Sequence, residues 1–186
     1  ACVNFSGYCS GVVVSPDGLV FTNHHCGFEA IRSHSTVEHD YLTNGFWAKS
    51  RVEELPNEKL HVRLLERMED VTSRINTGVS KEQIIAEAEA GGVGLKAKVE
   101  SMYYGNVHYL FVYREFNDVR LVGAPPTTIG KFGADNDSWI WPRHTGDFSV
   151  FRIYAGKNNN PAEYSADNKP YTPKRHFKIN TEGVNE

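Results

Sequence analysis

The tightest constraint on the fold lies near the N-terminus, in Gly11-Val-Val-Val-Ser15, Pro16-Asp-Gly18 and Leu19-Val-Phe-Thr22. Two short runs rich in β-branched and aromatic residues flank a Pro-Asp-Gly reversal. That is hairpin chemistry, because proline presets φ and glycine reaches backbone angles closed to other residues. Cys9 stands just before the first run and Cys26 just after the second. A chain that starts this way commits early to antiparallel sheet.

Strand patterns return late in the chain, at Val107-His-Tyr-Leu-Phe-Val-Tyr113, Val119-Arg-Leu-Val122 and Phe148-Ser-Val-Phe-Arg-Ile-Tyr154. His176-Phe-Lys-Ile179 is a further candidate. Lys157 to Pro173, rich in Asn, Pro and Tyr, is expected as a long surface connection. Between the strand groups the period changes. Leu60, Leu64, Met68, Val71 and Ile75 fall on one stripe of a helix, and Asn76-Thr77-Gly78 ends it. Ser80 and Gln83 form a capping box for a second helix reaching Ala90, after which Gly91, Gly92 and Gly94 break the pattern. His34, Tyr41, Phe46 and Trp47 belong to a stretch without clear periodicity. The expected class is therefore mainly β with a helical insertion. Residues 1–50 form the first part of a β-barrel, 51–100 the helical insertion, and 101–186 the rest of the barrel with the start of a connection onward.

Composition narrows the function classes. A net charge of −3 and the absence of Lys/Arg runs argue against nucleic acid and anionic membranes as partners. The longest apolar stretches are strand-sized, too short to insert as a membrane-spanning helix. Ala1 opens directly into strand-like sequence, as in a mature or trimmed chain. Three cysteines allow one bridge and one free or externally paired thiol.

Asn23-His24-His25-Cys26-Gly27 is the sharpest chemical feature. Histidine and cysteine together raise the question of zinc. A structural zinc site takes four ligands from separated positions, whereas consecutive side chains on extended backbone point apart, and neither Cys-x-x-Cys nor His-Glu-x-x-His accompanies them. No metal or other cofactor is expected. The second reading is a fixed general base, an imidazole just after a strand whose tautomer a carboxylate would set. Asp147, ahead of the apolar run from Phe148, is a candidate for that carboxylate, although its spacing alone fits a turn or cap equally well.

Thr22-Asn-His-His-Cys-Gly27 and Trp141-Pro-Arg-His-Thr-Gly-Asp-Phe-Ser149 together resemble the S46 peptidases, bacterial dipeptidyl-peptidases of the 7 and 11 types. The segment from Cys9 to Cys26 is also similar to the chymotrypsin pattern, in which a Thr-Ala-Ala-His-Cys run closes a strand. The resemblance covers most of the chain, including Val119-Arg-Leu-Val-Gly-Ala-Pro-Pro126 and Ile129-Gly-Lys-Phe-Gly133. It implies the first barrel of a chymotrypsin-like double-barrel serine peptidase, secreted to the periplasm or cell surface. Such an enzyme releases dipeptides from the N-termini of peptides, as a homodimer in its full-length form.

Carried over position by position, the resemblance places the general base on His25 and its orienting acid on Asp147, with His24 in support. It implies a disulfide between Cys9 and Cys26 that leaves Cys2 outside. Ser138 and Trp139 fall where the family holds the substrate's α-amino group, with Ser138 standing in for an asparagine. The family's Gly-Asn-Ser-Gly nucleophile segment has no match here, so the chain is expected to carry base and acid but no nucleophile. A different class remains open beside this one: a non-catalytic β-barrel that binds a peptide or a partner.

Overall fold

The computed structural model describes residues 1–132 and 144–183. β1 (Cys2–Phe5), β2 (Cys9–Val13) and β3 (Leu19–Thr22) form an antiparallel meander with Val3 opposite Gly11 and Val12 opposite Phe21. The reversal between β2 and β3 is closed by Ser15, whose hydroxyl accepts from the Leu19 N–H at 3.0 Å, and by Gly18 at φ +74°. Next come α1 (His24–His34), α2 (Tyr41–Asn44), β4 (Phe46–Trp47), β5 (Leu55–Pro56) and β6 (Val62–Asp70). They are followed by α3 (Thr72–Asn76), α4 (Lys81–Glu89), β7 (Leu95–Met102) and β8 (Val107–Phe116). β9 (Val119–Ala124), α5 (Thr127–Gly130), β10 (Ser149–Ala155) and β11 (Lys169–Pro170) complete the described chain.

The mainly β expectation holds. β3 pairs with β10, β10 with β9, and β9 with β5. The chain leaving β5 runs into β6, which pairs back onto β1 and so brings the sheet round on itself. Val3, Phe5, Val13, Val20, Val62, Leu121, Phe151 and Ile153 fill the interior. The Phe5 and Phe151 rings meet at 5.0 Å between centroids, so strands far apart in sequence share one core. β6 continues past the barrel, pairing with β8, and β8 pairs with β7. This three-stranded extension has its own small core, in which Val71, Leu110 and Val112 are covered by Ile84 and Ala88 of α4. Among the described residues no helix is long and apolar enough to cross a membrane.

Three expectations need correction. The helix expected through Leu60, Leu64, Met68, Val71 and Ile75 is replaced by the strand β6 over Val62–Asp70, and only Ile75 falls in a helix, α3. The residues of β6 include good helix formers, but both of its edges are taken by partners, β1 and β8, and ladder pairing outweighs propensity. A register shift between Leu65 and Arg67 breaks the alternation by which a strand is recognised. Within 51–100, α-helix is confined to α3 and α4, the latter capped by Ser80 accepting from the Gln83 N–H as expected. The stretch from His24 to His34, where no helix was expected and the histidines were taken as extended, is the eleven-residue helix α1. Finally, His176–Ile179 is not a strand, and the Phe177 N–H donates to the Val13 carbonyl at 2.8 Å.

Candidate active site

The loop ahead of β10 and the start of α1 meet where β3 and β10 lie side by side, with Ser149 opposite Thr22. The register sets Asn23 and His25, just past one strand, beside Asp147, just before the other. The His25 Nδ1–H donates to Asp147 Oδ2 at 2.8 Å, and the His25 backbone N–H donates to Asp147 Oδ1 at 3.1 Å. A ring N–H facing a carboxylate fixes the tautomer and leaves Nε2 as the basic nitrogen. Among the described residues nothing occupies Nε2, and the imidazole side chain is 66% exposed while Asp147 is 25% exposed.

Several contacts anchor this corner. Cys26 is joined to Cys9 by a disulfide, which ties the first turn of α1 to β2, while Cys2 is free and exposed. The Tyr8 hydroxyl donates to the Cys26 carbonyl at 3.1 Å, and Thr22 Oγ1 donates to the Ser10 carbonyl at 2.8 Å. Gly27 lets the helix lie against β10, because a Cβ there would stand 2.6 Å from Ser149 Oγ. Ser149 Oγ in turn donates to the Asn23 carbonyl at 2.8 Å.

His24 has the opposite environment. It is 1% exposed, and its ring lies so close to Gly130 of α5 that a side chain at that position would overlap it. Burial holds its pKa below the ordinary histidine value, against smaller opposing effects from the Asp147 charge and the nearby Pro125 backbone. His24 is thus a neutral packing residue beneath an exposed neighbour. Trp47 and Phe148, both exposed, approach at 6.1 Å between centroids and form an aromatic border beside Asp147.

Ligand atoms of Cys9, His25 and Cys26 lie within 4.8 Å of one another, close enough to hold an ion. Both sulfurs are consumed by the disulfide, so this donor set does not fit one. The backbone at His24 and His25 is helical, not extended as the sequence argument against zinc assumed. Ser138 and Trp139 lie outside the described residues. Sequence reasoning missed Asn23, Ser149 and Gly130. Asn23 carried a readable signal, since asparagine just before a helix is a favoured N-cap.

A family model described as peptidase S46 matches residues 1–186. An Asp/Glu-specific dipeptidyl-peptidase of Capnocytophaga gingivalis is 52% identical over 200 residues, covering 100% of this chain and 28% of its own length. A dipeptidyl-peptidase 7 of Phocaeicola vulgatus is 48% identical over 201 residues, covering 98% of this chain and 28% of its own. The crystal structure of Porphyromonas endodontalis DPP11 in complex with the dipeptide Arg-Glu superposes with a TM-score of 0.92 at 47% identity, over 100% of this chain and 30% of that one. The chain therefore spans less than a third of the length of these proteins.

Proposed function

Because the chain belongs to the peptidase S46 family, we propose that His25 and Asp147 are the general base and orienting acid of a serine exopeptidase that releases dipeptides from peptide N-termini. The observation that carries this reading is the 2.8 Å contact between His25 Nδ1 and Asp147 Oδ2, with the ring otherwise open among the described residues. The nucleophilic serine and its oxyanion donors would come from sequence beyond these residues. Serine Oγ attacks the scissile carbonyl while its proton passes to His25 Nε2. The same proton then goes to the leaving amine as the carbon–nitrogen bond breaks. Asp147 stays ionised throughout and stabilises the imidazolium, and water repeats the sequence to release the acyl dipeptide.

Relatives named Asp/Glu-specific and relatives named dipeptidyl-peptidase 7 match at nearly equal identity, 52% and 48% for one of each. That near-equality supports a specificity pocket built elsewhere in the full-length enzyme. The bridge between Cys9 and Cys26 supports an oxidising compartment, the periplasm or cell surface. The full-length enzyme is proposed to act as a homodimer. Ser138 and Trp139 are proposed to help hold the substrate's α-amine.

The test uses the full-length protein and pairs of reporter peptides that differ only in N-acetylation. Cleavage two residues from a free N-terminus, abolished by acetylation and by a serine-directed fluorophosphonate, is the expected result. Equal cleavage of both members of each pair would remove the exopeptidase reading. Absence of fluorophosphonate labelling would favour the non-catalytic alternative.

A further inference from the structure

Asparagine is favoured at the N-cap because its side-chain oxygen accepts from the N–H of the second or third helical residue. Asn23 occupies that position on α1 with φ −72° and ψ 154°, yet its side chain makes no capping bond. Its amide nitrogen instead reaches across 124 residues of sequence and donates to Asp147 Oδ2 at 3.1 Å and to the Asp147 carbonyl at 3.2 Å. The missing cap comes from the other side, because Asp147 Oδ1 accepts the N–H of His25, the second residue of the helix. The two residues have exchanged tasks. The aspartate caps the helix, and the asparagine holds the aspartate.

The orientation of the Asn23 amide follows from its partners. Both acceptors belong to Asp147, so a reversed amide would set oxygen against oxygen. Oδ2 therefore receives two donors, the Asn23 amide and the His25 ring, while Oδ1 receives a third from the backbone. Rotating the carboxylate about its Cβ–Cγ bond breaks all three contacts at once. Without Asn23, an acid that is 25% exposed could turn an oxygen to water and lose its line to the imidazole. The asparagine is itself braced, since its carbonyl accepts from Ser149 at the head of β10.

We propose that Asn23 is a positioning residue that locks the carboxylate of Asp147, and through it the tautomer and aim of His25. The proposal rests on the reading of His25 and Asp147 as base and acid.

The experiment compares Asn23→Ser, Asn23→Gln and Asn23→Asp with His25→Ala and Asp147→Asn, all in the full-length enzyme. Serine is an equally good N-cap, so Asn23→Ser should keep the melting temperature while its shorter side chain cannot reach Asp147. Its kcat should fall by up to about a hundredfold with KM little changed, as for a misaimed catalytic group. Asn23→Gln, which keeps the amide donor, should recover part of the loss. Asn23→Asp, which removes the donor and adds a like charge, should be worse than serine.

Wild-type kcat in Asn23→Ser would overturn the proposal. So would a raised KM at unchanged kcat, which would mark a substrate contact, or a kcat loss that merely tracks a lowered melting temperature across the three variants. Should His25→Ala and Asp147→Asn retain activity, the base–acid reading itself would fail. If those two lose activity while Asn23→Ser does not, only the positioning role is wrong.

Discussion

Strand β10 has a multiply bonded carboxylate near each end, and the two have opposite fates. At its head, Asp147 receives the His25 ring, the His25 backbone and the Asn23 amide, and the partner that matters most is 66% exposed. Toward its foot, Glu54 is 3% exposed, accepts from Arg152 Nε at 3.0 and 3.2 Å, and accepts from the Tyr154 hydroxyl at 2.8 Å. Arg152 is shared further with the Asp17 side chain at 3.0 Å. Both carboxylates are satisfied. The difference lies in the partners, because Glu54 closes on groups that are themselves buried or braced, whereas Asp147 holds an imidazole whose second nitrogen has no partner among the described residues. On the proposed reading, Glu54 is structural because its donors end the network, and Asp147 is functional because one of its donors passes it on.

That contrast predicts different failures at the two ends. The largest effect belongs to the head of the strand. In the full-length enzyme His25→Ala should abolish turnover, and Asp147→Asn should lower kcat about ten-thousandfold by analogy with other triads, with little change in melting temperature. If instead either change mainly destabilised the fold and left kcat intact, the two carboxylates would be alike and the comparison would collapse.

Glu54→Leu should behave in the opposite manner. Removing one member of a buried, hydrogen-bonded pair leaves Arg152 charged beneath the surface and costs about 3–5 kcal/mol of stability. Asp17 remains as a second partner for Arg152, so the lower end of that range is expected. Denaturant midpoints should shift strongly while kcat per folded molecule stays near wild type. A kcat loss larger than the folded fraction explains would mean that the foot of β10 communicates with the head.

The disulfide sharpens the contrast further, because it braces one end alone. Cys9→Ser with Cys26→Ser reopens a loop whose closure stabilises by about 3 kcal/mol in the chain-entropy model. Amide exchange should quicken around His24 to Gly27 more than around Arg152 and Tyr154. Uniform acceleration along β10 would show that the bridge stabilises the barrel as a whole and not the corner it spans.

The same two ends explain what could be read from the sequence. The strands β2, β3, β8, β9 and β10 are runs of Val, Phe, Leu, Tyr and Ile between turn residues, so local preference and tertiary role agree. The pairing of His25 with Asp147 was legible through family resemblance and not through spacing, since 122 residues separate them and only the β3–β10 register brings them together. β6 was illegible because Arg63, Glu66, Arg67, Met68 and Glu69 favour a helix, and the bulge after Leu65 disrupts the alternation. α1 was passed over because its buried residues, His24, Cys26, Gly27, Ala30 and Ile31, include a histidine and a glycine and only one large aliphatic side chain, a poor marker of an apolar face. Its helical spacing of three and four was present all the same. The Glu54–Arg152–Tyr154 network left no local trace, for a glutamate just before a two-residue strand reads as surface until its partners are known.

The smallest effect expected is on pH dependence, where buried groups near both ends of β10 resist ionisation. At the foot, burial and then the hydrogen bond to Glu54 push the Tyr154 phenol up to about 12 from its ordinary 10.0. The folded state then holds a proton that the unfolded chain releases, so stability is full below about pH 10 and falls as pH rises toward 12. At the head, burial lowers the His24 pKa below 6.5, and away from β10, beside β1 and β6, burial does the same at His61. Here the unfolded chain takes up protons first, so stability is full above about pH 6.5 and falls as pH drops below it. Denaturant midpoints measured from pH 5 to 12 should therefore form a plateau with two declining limbs. Tyr154→Phe should cost about 1 kcal/mol at neutral pH for the lost hydrogen bond and shrink the alkaline decline. The decline should not vanish, because Tyr8 and Tyr171 are also raised by burial. An alkaline limb unchanged in Tyr154→Phe would mean that the phenol is not held neutral by burial and Glu54, and that the foot of the strand is less closed than its hydrogen bonds imply.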